Sequence, residues 1–504
     1  MSITAPLGIV TLDSSFIESV LLATKGRCDV LTPLNLLFGA TLVSTVIVYV
    51  LVWRNPVTEN GILVREWSIP LALGATTVLA NWIQAPALLF SGQQAFRSYA
   101  QFAAFWVPNS LALVIAAILA VHIREKLPRG YNVPQFLGSV FGGKVRWLTF
   151  LLAFTTLVLA VGYSLTGLRQ WIVPQLGLPS WQVAVILGTA ALVWVVPTGL
   201  IGAVASDRIK VAIIGAGAAG VFALWYYWSS KGFHITSSTP TNTPTGSTWV
   251  FWSSGVVLAA SLIGGPIVNP DLGERFFAVE KRIVRRAYLF AAVLFALVVL
   301  VFGSIGLLAH ELGIEPGKSF PAYAVLEKTV PSGVVVIVSV GLAIILAAAI
   351  AAFVASAANL LTIELFHRAS SDTVSRKVSV RSRLLMIIPI VAGTAVASQD
   401  TIDIGTLLSA LAVVRGEVIV PIIVAAFWPT LVPGGYVLAG MLTGLAGGVV
   451  ATYTGIVAKN GFGIDLPFWL YNGPPIGALV AVFVPLGFIL IGGVAKRLPS
   501  TRLA

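Results

Sequence analysis

A helix needs about 20 apolar residues to cross the hydrocarbon core of a bilayer. Lipid offers no partner to an unpaired backbone group, so apolar stretches of that length read as helices rather than open strands. Thirteen of them follow one another through the 504 residues, at roughly 34–53, 68–91, 104–122, 147–173, 182–203, 210–229, 248–268, 287–309, 333–364, 384–400, 404–428, 435–457 and 474–495. The chain therefore reads as an all-α integral membrane protein with 13 transmembrane helices. Only 10% of its residues are charged and 57% are hydrophobic, whereas a soluble chain carries about 25% charged residues. A soluble enzyme is excluded. The single cysteine, Cys28, excludes an internal disulfide and a cysteine-based metal site. Residues 1–30 hold Asp13, Glu18, Lys25 and Arg27 and do not read as a signal peptide.

The 31 Lys and Arg against 19 Asp and Glu give a net charge of +12. Placement accounts for this excess without a nucleic-acid partner. With the N-terminus outside, 22 of the basic residues fall in inner loops and 7 in outer segments, the bias that cytoplasmic loops carry. An odd number of spans then puts the C-terminus in the cytoplasm, with the chain in the plasma (cell inner) membrane. Residues 234–247 are uncharged and rich in Ser, Thr and Pro, as an outer loop would be. Residues 271–286 predict an amphipathic helix on the inner surface, with Phe276 and Phe277 toward lipid and the arginines at anionic headgroups.

Two spans are interrupted. The second contains Asn81-Trp82-Ile83-Gln84-Ala85-Pro86 at mid-depth, and the seventh ends in Gly264-Gly265-Pro266 followed by Asn269-Pro270. Proline removes a backbone donor and blocks the carbonyl four residues earlier. The two breaks lie five spans apart, so each opens a block of five, and blocks with an odd span number insert with opposite polarity. The chain thus divides into an extracellular segment (1–33), an extra first helix with its inner loop (34–67), a first inverted repeat (68–232), a second (233–428), and two C-terminal helices with a short tail (429–504). Interrupted helices at matching positions of inverted halves point to a midplane binding site in transporters. Asn81, Trp82, Gln84, Gly264 and Gly265 are the candidate residues for a small polar solute.

Thr198–Asp207 (TGLIGAVASD) resembles the GGL-x-A-V-x-x-T-D signature of the sodium/solute symporter family, which includes sodium-coupled sugar, proline and pantothenate carriers. Three further stretches agree in order and spacing. Gly130–Arg146 resembles the family's inner loop, Glu274–Leu289 its Q-R-x-x-A-x-K segment, and Val432–Gly448 its G-A-x-x-G-x-x-x-G helix. Trp82–Phe96 looks more like the branch containing urea-type permeases. The resemblance implies two inverted five-helix repeats plus extra terminal helices, and alternating access. It also implies a sodium site between the second and ninth spans, with ligands at the carbonyls of Ala80 and Ile83 and the hydroxyl of Ser356, and Asp207 on the inner exit path. The ninth span departs from the family pattern, because Ala343–Ala355 (AIILAAAIAAFVA) contains no hydroxyl.

Arg169 and Arg415 are the two basic residues inside spans. A charge at the bilayer centre costs at least about 2.5–3.5 kcal/mol. Arg169 lies near an outer end and can snorkel. Arg415 and Glu417 form a candidate coupling pair, although residues two apart on a helix do not face each other, so each is expected to meet another helix or a water-filled cavity. The four histidines have no metal-ligand spacing, and no transition-metal site or organic cofactor is expected. Gly215–Gly220 matches G-x-G-x-x-G superficially, inside a span, where close helix packing accounts for it. The expectation is a secondary active transporter, coupled to Na+ or H+; a transporter-like solute sensor and an uncoupled facilitator or channel are the alternatives. Membrane lipids and the solute are the expected partners. The sequence does not fix the oligomeric state.

Overall fold

The computed structural model describes residues 32–53, 69–128, 130–231, 247–314, 320–365, 383–399, 404–459 and 473–497. In chain order its helices are α1 (Pro33–Trp53), α2 (Leu71–Trp82), α3 (Ala85–Arg97), α4 (Tyr99–Lys126), α5 (Val133–Phe141), α6 (Gly143–Gly167), α7 (Ser180–Val195), α8 (Leu200–Ser230) and α9 (Ser247–Val268). They continue with α10 (Pro270–Ala278), α11 (Val284–Glu311), α12 (Pro321–Thr329), α13 (Ser332–Leu365), α14 (Ile387–Ala397), α15 (Ile404–Phe427), α16 (Gly434–Lys459) and α17 (Gly473–Arg497). Among the described residues, nine helices are long and apolar enough to cross a membrane, and α2 with α3, bent by 61° at their junction, make a tenth. α7, α9 and α14 carry the other three apolar stretches. The Cys28 region, residues 234–246 of the outer loop with His234, His367 and the turn at Asp400 and Asp403 lie outside the described residues.

α13 is the axis of the packing. Its 34 residues reach about 50 Å at 1.5 Å per residue, and every residue from Leu342 to Ile363 is buried. It touches α6, α7, α8 and α10, among others. The alanines of 343–355 permit that crowding: small side chains let backbones approach in a medium where apolar burial alone does not favour helix association.

The motif residues do identifiable structural work. Asn132 accepts from the Gln135 backbone N–H at 2.9 Å, and the Gln135 side chain accepts from Tyr131 N–H at 2.9 Å, which caps α5. Arg146 at the end of that loop pairs with Glu364 of α13 at 2.6 Å. In the TGLIGAVASD stretch, Gly199 takes φ +58° where α7 gives way to α8, a conformation costly for residues with a Cβ. The glycines of 432–448 form a seam: a Cβ at Gly440 would lie 2.9 Å from Pro485 Cα, and one at Gly448 3.0 Å from the Gly477 carbonyl, so α16 and α17 meet nearly backbone to backbone.

The segment 271–286 departs from expectation. It is not a surface helix: α10 covers only its first part, and Phe276 and Phe277 are fully buried, with Phe276 tilted against Tyr288 at 5.1 Å. The arginines of the segment also divide, since Arg275 is fully buried, whereas Arg282, Arg285 and Arg286 form the outer rim. The end of α10 is tied to the chain before α2 by Ile69 N–H to Ala278 O at 3.0 Å and Glu280 N–H to Ile69 O at 3.2 Å. This bridge draws α10 into the bundle. Lys210, counted by sequence among loop charges, is also fully buried, on α8.

α3 and α11 make the tightest crossing, where a Cβ on Gly306 would overlap the Gly92 carbonyl and lie 2.9 Å from Phe96 N. Overpacking against backbone costs about 1–3 kcal/mol. Gly306→Ala should lower the thermal unfolding midpoint of the purified protein, while Gly220→Ala, with nothing within 4 Å, leaves it unchanged. Equal midpoints for both variants would contradict this crossing.

Candidate solute and cation site

The first break forms as the sequence dictates. The last regular bond of α2 runs from Ile83 N–H to Leu79 O at 2.9 Å, after which Ile83 (φ −86°, ψ 115°) and Gln84 (φ −115°, ψ 152°) are extended. The ladder resumes with Ala87 and Leu88 N–H on Gln84 O, with Pro86 in the first turn of α3, where no donor is needed. Ala80 and Ile83 are buried on either side of this interruption. Gln84 makes no side-chain cap bond.

The second break lies later than the sequence suggested. α9 runs through Gly264, Gly265 and Pro266 to Val268, and the chain turns extended at Asn269 (φ −63°, ψ 120°) before α10. The helix continues through Pro266 as other helices here continue through Pro108, Pro421 and Pro485, whereas Asn269 before Pro270 is extended, the conformation favoured for a residue preceding proline. The two glycines instead provide contact surface. A Cβ on Gly264 would lie 2.8 Å from Arg415 Cβ, and one on Gly265 2.6 Å from the Trp82 ring. Trp82 also donates from Nε1 to Asn109 O at 3.2 Å. Arg415 on α15 donates to the Ser261 carbonyl at 2.8 Å and lies 3.3 Å from the Ser261 hydroxyl. Trp82, Gly264, Gly265 and Arg415 therefore meet in one place, between the two interrupted helices.

Beneath the first break lies a buried polar cluster. Thr77 and Asn81, one turn apart on α2, both donate to Asp207 Oδ2 on α8, Asn81 at 3.1 Å. Asn81 also donates to Thr77 O at 2.7 Å. Arg275 on α10 reaches Thr77 Oγ1 from Nε at 3.4 Å, Asp207 at 3.8 Å and Glu274 at 3.7 Å. Ser356 on α13 donates to Glu274 Oε2 at 2.8 Å, and Asn359 also bonds Glu274. Lys210 is within electrostatic reach of Asp207 and Asp271, and Asp271 within reach of Arg415. Asp207, Lys210, Asp271, Glu274 and Arg275 are all fully buried. Lys210 Nζ and both Asp271 oxygens have no hydrogen-bond partner among the described atoms.

Of the expected site residues, Asn81, Asp207 and Ser356 are thus drawn into this cluster, and Trp82, Gly264 and Gly265 stand beside it. Asp207 does not pair with its exposed neighbour Arg208. Arg415 and Glu417 are not a pair. Glu417 points to the α16–α17 seam, where a Cβ on Gly444 would lie 2.7 Å from its Oε1, and its oxygens have no hydrogen-bond partner among the described atoms. Arg169 lies in the π-helical turn Leu168–Ile172 and donates to Ala397 O at 2.9 Å. Thr77, Lys210, Asp271, Glu274, Arg275 and Asn359 went unread as site residues. Their signal was the i, i+3 and i+4 spacing on three short stretches, which puts Thr77 with Asn81, Asp207 with Lys210, and Asp271 with Glu274 and Arg275 on shared faces.

No known family profile matches the sequence. No curated protein matches it either. Solved structures do share its architecture. A Na+-coupled sialic acid symporter in a substrate-bound outward-open state aligns with TM-score 0.60 at 14% identity, covering 91% of this chain and 98% of that one. At that identity the likeness is one of fold: this chain shares that symporter's architecture. Mhp1, a nucleobase-cation-symport-1 family transporter, aligns in a closed conformation with bromovinylhydantoin bound (TM-score 0.52, 14% identity, 86% of this chain and 95% of that one). It aligns in an inward-facing conformation as well (TM-score 0.50, 16% identity, 85% and 91%).

Removing one partner of a buried ion pair costs about 3–5 kcal/mol, because the other charge stays behind uncompensated. Arg275→Met should therefore abolish or strongly reduce the yield of folded, monodisperse protein. The double variant Arg275→Met/Asp207→Asn should recover part of it, as size-exclusion profiles and unfolding midpoints would register. Additive losses in the double variant would mean that Arg275 and Asp207 are not coupled.

Proposed function

We propose that this chain is a secondary active transporter, a symporter that moves a small polar solute across the plasma membrane by alternating access. The reading has thirteen spans with the N-terminus outside and the C-terminus cytoplasmic, and residues 68–232 and 233–428 as inverted repeats. One observation carries it: two interrupted helices meet through the Trp82 ring and Gly265, with Arg415 against Gly264 and Gly265. Broken helices of this kind bind solutes at the midplane because their freed backbone groups and half-helix ends supply polarity where lipid supplies none. The likeness to cation-coupled symporters supports the same reading at the level of fold.

In this reading the solute binds against Trp82 beside Gly264 and Gly265, with the Gln84 amide as its polar contact. Asn81, already bonded to Thr77 and Asp207, positions the end of α2 rather than the solute. The coupling ion is Na+ or H+. Glu417, a buried carboxylate away from the solute, is the candidate for carrying a proton.

Uptake into proteoliposomes, with a panel of small polar solutes and separately imposed sodium and proton gradients, tests the proposal. Concentrative uptake under one gradient is expected. Uptake indifferent to both would indicate a facilitator, and binding without uptake a sensor. Gln84→Ala should weaken the solute about tenfold, equivalent to about 1.4 kcal/mol; unchanged affinity in both Gln84→Ala and Trp82→Ala would move the solute elsewhere. The topology is tested with an impermeant thiol reagent in a Cys28→Ser background. Ser238→Cys is expected to react on intact cells and Ser371→Cys to be protected, and the reverse would invert the chain.

A further inference from the structure

The resemblance to the sodium/solute symporter family implies a sodium ion between the second and ninth spans, here α2 and α13, and the residues there do not fit one. The hydroxyl of Ser356 is engaged with Glu274. That of Thr77 is engaged with Asp207. Ala343–Ala355 offers no side-chain oxygen at all. Arg275 occupies the junction instead, touching Thr77 on one side and Glu274 on the other, and Glu274 in turn holds α13 through Ser356.

Charge completes the argument. The cluster and its immediate neighbour hold three acids, Asp207, Asp271 and Glu274, and three bases, Lys210, Arg275 and Arg415. With every group ionised it is formally neutral. A cation added to a neutral, fully buried cluster would leave a net charge in low dielectric, at a cost of several kcal/mol. A site that attracts sodium needs the opposite balance, excess negative charge; the carboxylate oxygens left without hydrogen bonds among the described atoms, Asp207 Oδ1, Glu274 Oε1 and both of Asp271, belong to acids whose charge the three bases already balance.

We propose that Lys210 and Arg275 are tethered cations that take the place of the coupling sodium between α2, α8, α10 and α13, so that the positive charge holding these helices together belongs to the protein and never leaves. The proposal rests on the transporter reading for its meaning, but concerns sodium binding, which is measured without any solute. A failure of uptake and a failure of this proposal are therefore separate results.

The test is the unfolding midpoint of the purified full chain in NaCl against choline chloride at matched ionic strength, with equilibrium binding of radioactive sodium in parallel. The wild type should show no saturable sodium-specific stabilisation and no sodium binding in the millimolar range. Lys210→Gln leaves the cluster formally one charge negative, so sodium should raise its midpoint saturably. Lys210→Gln/Asp271→Asn restores neutrality and should lose that response. Saturable sodium binding by the wild type overturns the proposal and needs no variant to fold. A Lys210→Gln protein that folds yet gains no sodium response over choline overturns it as well. If Lys210→Gln folds only in sodium, the expected rescue has been observed.

Discussion

A fully buried guanidinium, that of Arg275, organises the centre of this protein. Leaving it unpaired in that position would cost several kcal/mol. Its neighbours are arranged accordingly: the Thr77 hydroxyl at 3.4 Å from α2, Asp207 at 3.8 Å from α8, and Glu274 at 3.7 Å on its own helix, itself held to α13 by Ser356. Four helices are referred to one side chain. The interruption at Asn269 follows from the same demand, because α10 must turn away from the line of α9 to deliver Arg275 to this point.

The contacts are long for ion pairs, and several of the polar atoms around them lack hydrogen bonds among the described residues. A fully satisfied network would be stiffer. Such a cluster holds α2, α8, α10 and α13 in register while leaving each individual contact weak.

The long helical stretches were legible because apolar length survives without tertiary information, and among the described residues nine helices, or ten with α2–α3 taken together, are long and apolar enough to cross a membrane. The α2–α3 break was legible only as one outcome of a mid-span proline, since other helices continue through Pro108, Pro266, Pro421 and Pro485. The cluster was not. Lys210 and Arg275 lie where spans meet loops, and a basic residue there reads equally well as a cytoplasmic rim charge; only the fold shows that α10 turns inward. Phe276 and Phe277 misled for the same reason, because a helix with aromatic residues and arginines looks amphipathic whichever side is buried. Pro266 misled because a proline inside a membrane helix need not end it, as Pro108, Pro421 and Pro485 also show.

The contact of Gly306 with Gly92 constrains how the bundle can rearrange. Two helices that touch through their backbones have no side chains to repack between them, so sliding one past the other meets hard atoms at once. α3 and α11 are in effect a single rigid rod of double width. The extended residues Ile83 and Gln84 are then the elbow on which that rod swings, and any tilt of α3 away from α2 carries the C-terminal half of α11 with it.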